Sequence, residues 1–139
     1  MKTGMPFVQL KMAASLDGQS ALQNGQSQWI TSPKARQDVQ RYRAISSAIL
    51  STSKTVIEDN ASLNIRWQEL PPSVQTCYQQ SDVRQPHRVI LDRQNQLRQN
   101  LKLFQADGEC IIVSQEGDLI PQLDDNGRLD LKKILFTLA

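Results

Sequence analysis

Short apolar runs separated by polar and helix-forming segments are the feature that most restricts the fold of this chain. The runs lie at 48–50, 88–91 and 110–113. Runs of this length, rich in aliphatic residues, are typical of buried strands, and buried strands that alternate with helical segments form parallel sheets. We therefore predict an α/β fold, in which a mostly parallel sheet is flanked by helices.

An N-terminal strand and two helix starts complete this prediction. Residues 7–14 alternate apolar and polar side chains, which predicts a strand with Lys11 near its carboxyl end. Ser32 followed by Pro33 is typical of an N-cap and a first helical position. A second, shorter helix is predicted to begin within 51–55, directly after the first apolar run.

Composition excludes several classes of protein. At 139 residues the chain suits one domain, and its net charge of +2 comes from 16 basic and 14 acidic residues that are interspersed. Interspersed charges of both signs form no basic stripe of the kind that binds nucleic acid, so a nucleic-acid-binding protein is not expected. No apolar run approaches the roughly 20 residues that span a bilayer. Cys77 and Cys110 are isolated, which fits reduced thiols better than a disulfide framework. We expect a soluble, cytoplasmic protein.

Two groups of polar residues are candidates for binding or catalysis. Lys11 and Asp17 flank one turn, where an ammonium and a carboxylate can handle protons or bind hydroxyls. Arg43 and Arg66, with the hydroxyl of Ser27, have the donors that suit a phosphate monoester. Spacing alone favours the ordinary alternatives, which are a turn aspartate, a surface lysine and solvated arginines.

Hydroxyl side chains are concentrated at 51–55, where a strand end leads into a helix start. Such a helix start attracts anions, so contact with a nucleotide is about as well supported as simple capping. The sequence lacks both G-x-G-x-x-G and G-x-x-x-x-G-K-[ST]. His87 is the only histidine, which argues against a zinc cluster and a serine hydrolase. Trp29 can stack on a ring or serve as a packing anchor, and the sequence leaves both open.

Several unusual sequence words occur in one order between residues 6 and 67. They are L-K-M-A-A-S-L-D-G, G-Q-S-Q-W-I-T-S-P-x-A-R-x-D-V-Q-x-x-R-A, A-I-L-x-x-x-x-T-V and D-N-x-S-L-x-I-R, with a weaker match over 84–96. The chain resembles the reductase domain of the bifunctional riboflavin-biosynthesis deaminase/reductase. The resemblance implies a dihydrofolate-reductase-like fold, and NADPH-dependent reduction of 5-amino-6-(5-phosphoribosylamino)uracil to the ribitylamino phosphate without a metal.

The resemblance also implies roles for individual residues. The substrate contacts fall on Ser27, Arg43, Leu63 and Arg66, and the cofactor contacts fall on Ala13, Trp29, Thr55, Asp59 and Arg93. Arg93 departs from the family pattern, since that position is often Ser. Lys11 corresponds to the family's strand lysine and is the candidate for the acid or hydrogen-bonding role at the sugar. Asp17 is the second catalytic candidate, and it is expected to shape the turn or support the site.

The resemblance covers one reductase domain and no deaminase domain. Residues 129–138 have the spacing of an amphipathic helix that ends at the chain terminus. We therefore expect residues 1–139 to be the N-terminal portion of a reductase domain, inactive alone and associating with a second copy. Two alternatives stay open, which are a non-catalytic binding or assembly module of the same fold and a related reductase of another substrate.

Overall fold

A three-stranded parallel sheet forms the centre of the protein in the computed structural model, which describes residues 6–25 and 30–118. The strands are β1 (Ala48–Thr52), β2 (His87–Leu91) and β3 (Cys110–Val113), in the order β1-β2-β3. In the register, Ala48 pairs with His87 and Arg88 pairs with Cys110. The central strand β2 is buried at Arg88, Val89 and Ile90, and aliphatic composition predicts this for Val89 and Ile90.

The helices occur where the sequence predicts helix starts. Helix α1 (Pro33–Ile45) begins with Pro33, and the Ser32 hydroxyl accepts a hydrogen bond from the Ala35 N–H. Helix α2 (Ser53–Asp59) follows β1 directly and ends at Asn60 in the left-handed conformation. Helices α3 (Pro72–Cys77) and α4 (Lys102–Gln105) are short. The proline-containing excursion around α3 also includes 3-10 turns at Trp67–Glu69 and Gln80–Asp82.

A compact apolar cluster lies between the sheet, helices α2 and α4, and the loop that follows α2. Its buried members are Val56, Leu63, Ile90 and Leu103. Leu63 has a φ of 56°, an uncommon conformation for a leucine, which its burial in the cluster stabilises. The position of the chain after α2 is therefore fixed by core packing.

Arg88 is a cation inside this small core. Its side chain is 1% exposed, and its guanidinium donates to the carbonyls of Ser62, Leu103, Ala106 and Gly108. Four carbonyl dipoles thus compensate for much of the cost of removing the charge from water. Because Ser62 precedes Leu63, Arg88 also fixes the loop that leads from α2 to Arg66.

Two details of the predicted sheet are wrong. Residues 7–14 form no strand, and Phe7, Leu10 and Met12 are exposed. Alternation alone does not make a strand, because a strand also needs a partner edge, and no described residues pair with this segment. Strand β1 forms, but its residues are half-buried or exposed because it is the edge of the described sheet. The helix predicted at 129–138 lies outside the described residues.

Candidate functional site

Arg43 and Arg66, predicted to bind one phosphate, lie close together in the structure. Arg43 is in the last turn of α1, and its Nη1 donates to the Asn64 carbonyl at 2.9 Å. Burial lowers the pKa of Arg43 to about 10, and the positive charge of Arg66 adds to this shift. Two guanidinium groups that repel each other across one loop form a site that an anion would stabilise.

Glu69 holds the Arg66 side chain in a fixed orientation. The Arg66 Nε donates to Glu69 Oε1 at 2.5 Å, and Nη2 donates to Oε2 at 2.7 Å. This hydrogen-bonded pair, with the charge of Arg66, lowers the pKa of the Glu69 carboxyl. Both side chains are about half exposed, so solvent screening limits what the pair contributes to stability.

Gln40 connects α1 to this pair from inside the protein. Its side chain is 1% exposed, and its carbonyl oxygen accepts from the Arg66 backbone N–H at 3.1 Å. Its amide nitrogen donates to Glu69 Oε2 at 3.2 Å. One buried amide therefore contacts both the backbone of Arg66 and the carboxylate that orients its side chain.

Arg66 also lines an open cleft of ≈ 320 Å³. The remainder of its wall is largely polar and includes Asn64, Trp67, Gln85 and Asp107. Gln85 is hydrogen-bonded to the backbone of Ile65 through both ends of its amide. The loop that presents Arg66 is thus tied to a residue that stands two positions before β2.

The predicted cofactor residues Thr55 and Arg93 follow the carboxyl ends of two strands. The loop of Arg66, by contrast, is tied to a residue that precedes β2. Thr55 is in the first turn of α2, three positions after the end of β1, and Arg93 is two positions after the end of β2. Both side chains are exposed. Since β1 and β2 are adjacent and parallel, their carboxyl ends lie side by side at one end of the strands, where ligands of open α/β sheets commonly bind.

Local hydrogen bonds shape this carboxyl edge. The Thr52 hydroxyl accepts from the Thr55 N–H and caps α2. Buried Asp92 accepts from the backbone N–H groups of Gln96 and Leu97, which fixes the loop that contains Arg93. Asp59 is the last residue of α2, one helical turn beyond Thr55 on the same face.

The N-terminal candidates lie in the exposed segment 6–25. Lys11 is exposed, and Ala13 is half-buried. The Asp17 carboxylate accepts a hydrogen bond from the Ser15 hydroxyl, which lowers the pKa of Asp17. A carboxyl held in its ionised form in a turn fits a supporting role better than that of a proton donor. Ser27 and Trp29 lie outside the described residues.

The structure therefore brings Arg43, Arg66 and the loop containing Leu63 together, and it places Thr55 and Arg93 after the carboxyl ends of the adjacent strands β1 and β2. Leu63 contributes through its backbone turn, because its side chain is buried in the core. Sequence reasoning missed Gln40 and Glu69. Both carried a signal, since each is three positions from an arginine, a spacing that places helical residues on one face.

Residues 6–25 and 30–118 contain no group of three or more His, Cys, Asp or Glu side chains arranged to hold a metal ion. None of the helices in these ranges has the length and apolar character needed to cross a membrane.

Comparisons with known proteins match this chain to one family. A family model described as the RibD C-terminal domain matches residues 6–139. The riboflavin biosynthesis protein RibD of Haemophilus influenzae is 54% identical over 116 residues, which are 84% of this chain and 31% of that protein. This chain thus spans about a third of that relative.

Solved structures show the same fold. Acinetobacter baumannii RibD superposes with a TM-score of 0.79 at 39% identity, covering 99% of this chain and 37% of that chain. A Thermotoga maritima protein described as a diaminohydroxyphosphoribosylaminopyrimidine deaminase/5-amino-6-(5-phosphoribosylamino)uracil reductase gives 0.72 at 32% identity, over 99% and 36% of the two chains. The predicted dihydrofolate-reductase-like α/β fold is confirmed.

Proposed function

Because this chain belongs to the family of RibD C-terminal domains, we propose that it serves the NADPH-dependent reduction of 5-amino-6-(5-phosphoribosylamino)uracil to its ribitylamino phosphate. The observation that supports this substrate most directly is the proximity of Arg43 and Arg66 around one loop. The Thermotoga maritima neighbour is described as a reductase of the same compound. A substrate without a phosphate would have no need of two adjacent guanidinium groups.

Arg43 and Arg66 hold the phosphate end of the substrate. Guanidinium N–H groups match phosphate oxygens in pairs, and a dianion removes the repulsion between the two cations. The Asn64 carbonyl and the Glu69 carboxylate fix the two side chains before the substrate arrives. The Leu63 backbone sets the course of the loop, and Ser27 adds a hydroxyl donor.

Exposed donors at the carboxyl edge fit a nucleotide with phosphate groups. Thr55 offers a hydroxyl at a helix start and Arg93 offers a guanidinium, and Ala13, Trp29 and Asp59 complete the proposed contacts. NADPH, when bound, supplies the hydride that reduces the anomeric carbon. The chain's own residues hold and orient the two ligands.

Lys11 assists opening of the ribosyl ring by donating a proton or a hydrogen bond to the ring oxygen. Asp17, ionised and bound to Ser15, supports the turn that follows Lys11. We expect Lys11→Met, made in the full-length protein, to lower kcat by about 10²–10⁴-fold, the usual range for a general acid. Lys34→Met, which changes an exposed lysine on α1, is the control. Unchanged turnover in Lys11→Met would remove Lys11 from the reaction.

The phosphate site is tested by substrate-dependent oxidation of NADPH in Arg43→Ala and Arg66→Ala variants of the full-length protein. Each change should raise KM for the phosphorylated substrate by about 10- to 150-fold, equivalent to the roughly 1.5–3 kcal/mol of a charge-assisted hydrogen bond. Arg41→Ala is the matched control, since Arg41 is on the same helix, exposed, and paired with Asp38. Its KM should stay within about twofold, because exposed pairs contribute little.

The alternatives give different results in the same experiment. A non-catalytic module would bind the substrate without oxidising NADPH. A related reductase of an unphosphorylated substrate would lose little affinity when either arginine is removed. Equal loss of NADPH and substrate affinity in Arg66→Ala would assign that arginine to the fold.

A further inference from the structure

We propose that Gln40 is a positioning residue for phosphate recognition, acting through Glu69 to hold the Arg66 guanidinium in its binding orientation. This inference rests on the proposed function, because it assigns the phosphate end of the substrate to Arg66. It adds two residues, Gln40 and Glu69, to a site for which only the arginines are predicted.

The hydrogen bonds of Gln40 fix the orientation of its amide. Its oxygen faces an N–H donor, Arg66 N, and its nitrogen faces a carboxylate oxygen, Glu69 Oε2. A flipped amide would set its oxygen against the carboxylate and its nitrogen against the N–H, so only one orientation of the Gln40 amide satisfies both partners. At 1% exposure water cannot replace either bond, which makes both costly to lose.

Glu69 orients Arg66 while leaving three of its five N–H donors for a ligand. The carboxylate uses Nε and one N–H of Nη2, out of five N–H donors. The outer edge, made by Nη1 and the second N–H of Nη2, donates to no acceptor among the described residues, and the Arg66 side chain remains 44% exposed. Two parallel N–H groups on one edge suit a bidentate phosphate.

Gln40 also relates the two arginines to each other. It lies three positions before Arg43 on α1, so the two side chains leave one face of the helix. Gln40 bonds to Arg66, and Arg43 bonds to the Asn64 carbonyl two positions earlier in the same loop. The distance between the two guanidinium groups is thus set by a buried amide as well as by the arginines themselves.

Two variants that leave the net charge unchanged test this role. Gln40→Met keeps the size of the buried side chain and removes both hydrogen bonds. Glu69→Asp keeps the carboxylate but shortens it by one methylene, so that it cannot reach Arg66 and Gln40 together; since Glu69 is 43% exposed, this variant should fold normally. Gln75→Met and Glu58→Asp are the matched controls, because Gln75 bonds to Trp67 and Leu70 carbonyls and Glu58 pairs with Lys54.

The measurement, made in the full-length protein, is the affinity for 5-amino-6-(5-phosphoribosylamino)uracil and for its dephosphorylated form, with KM, kcat and NADPH affinity. In both variants the preference for the phosphorylated form should fall about tenfold, the worth of one misplaced charge-assisted hydrogen bond. KM should rise by the same factor, while kcat and NADPH affinity stay within about twofold. Both controls should keep the wild-type preference.

The outcomes separate this inference from the proposed function. If Arg66→Ala abolishes the phosphate preference but Gln40→Met and Glu69→Asp retain it, Gln40 has no positioning role and the proposed function stands. If both substrate forms weaken equally in the two variants, their role is structural and the inference is wrong. If the wild-type chain shows no phosphate preference, both the inference and the phosphate site are wrong.

Discussion

Replacement of Arg88 by Met should destabilise the protein more than any change to an exposed arginine. Arg88 donates to four carbonyls, at 3.2 Å to Ser62, 2.7 Å to Leu103, 3.0 Å to Ala106, and to Gly108. Met fills a similar volume but leaves these acceptors without a donor. Each buried unsatisfied group costs roughly 1–3 kcal/mol, and some carbonyls regain a bond to water.

A gain offsets part of this loss. The Met variant buries no charge, so it avoids that desolvation cost. It also lacks the Arg88 Nε, which is buried without a hydrogen-bond partner among the described residues. The balance should be a loss of about 3–5 kcal/mol in the free energy of unfolding, as for other broken buried charge networks. Arg88→Lys should recover part of it, since a single ammonium cannot reproduce the planar fork.

Urea denaturation followed by circular dichroism measures the difference at constant pH. Arg98→Met, which changes an exposed arginine, is the control and should stay within about 0.5 kcal/mol of the wild-type value. A loss below about 1 kcal/mol in Arg88→Met would show that the four carbonyls find other donors, and that Arg88 does not hold the loop leading to Arg66.

Two further predictions concern the same loops. Gly108→Ala should lower the free energy of unfolding by about 2 kcal/mol or more, because Gly108 has a φ of 97° and an added Cβ would lie 2.8 Å from the Gln85 Cβ. Thermal denaturation measures this loss, and an unchanged midpoint would contradict the expected strain. Glu69 has a lowered pKa, so its stabilising contribution is present above the unfolded-state value of about 4.5 and is lost as the pH falls through the folded-state pKa. The difference in unfolding free energy between wild type and Glu69→Gln should therefore shrink on acidification, and a constant difference from pH 7 to pH 3 would contradict this.

Local signals explain which parts of the fold the sequence predicts correctly. The Ser32–Pro33 start of α1 depends on one side chain bonding to a nearby backbone N–H, and β2 depends on consecutive aliphatic residues. Both are properties of a short segment. The segment 7–14 fails as a strand because its alternation says nothing about a partner edge, which is a property of distant residues.

The site residues also divide into those that the sequence predicts and those that depend on contacts between distant segments. Family words in the sequence predict Arg43 and Arg66, and the structure brings them together because α1 and the loop after α2 meet. Gln40 and Glu69 are 29 positions apart, so their hydrogen bond has no local signature. The burial of Arg88 is equally unpredictable, because four carbonyls from two separate segments, the loop after α2 and the stretch from α4 to Gly108, hold it in place.

The division of the predicted residues between opposite ends of the strands has a consequence for how this site can change. Thr55 and Arg93 follow β1 and β2, whereas Arg43 and the loop of Arg66 are tied to residues that precede these strands. A five-residue strand is about 15 Å long, beyond the range in which substitutions usually couple. Mutational effects at the two ends should therefore add, so that the proposed phosphate site can change while the proposed nucleotide contacts stay as they are.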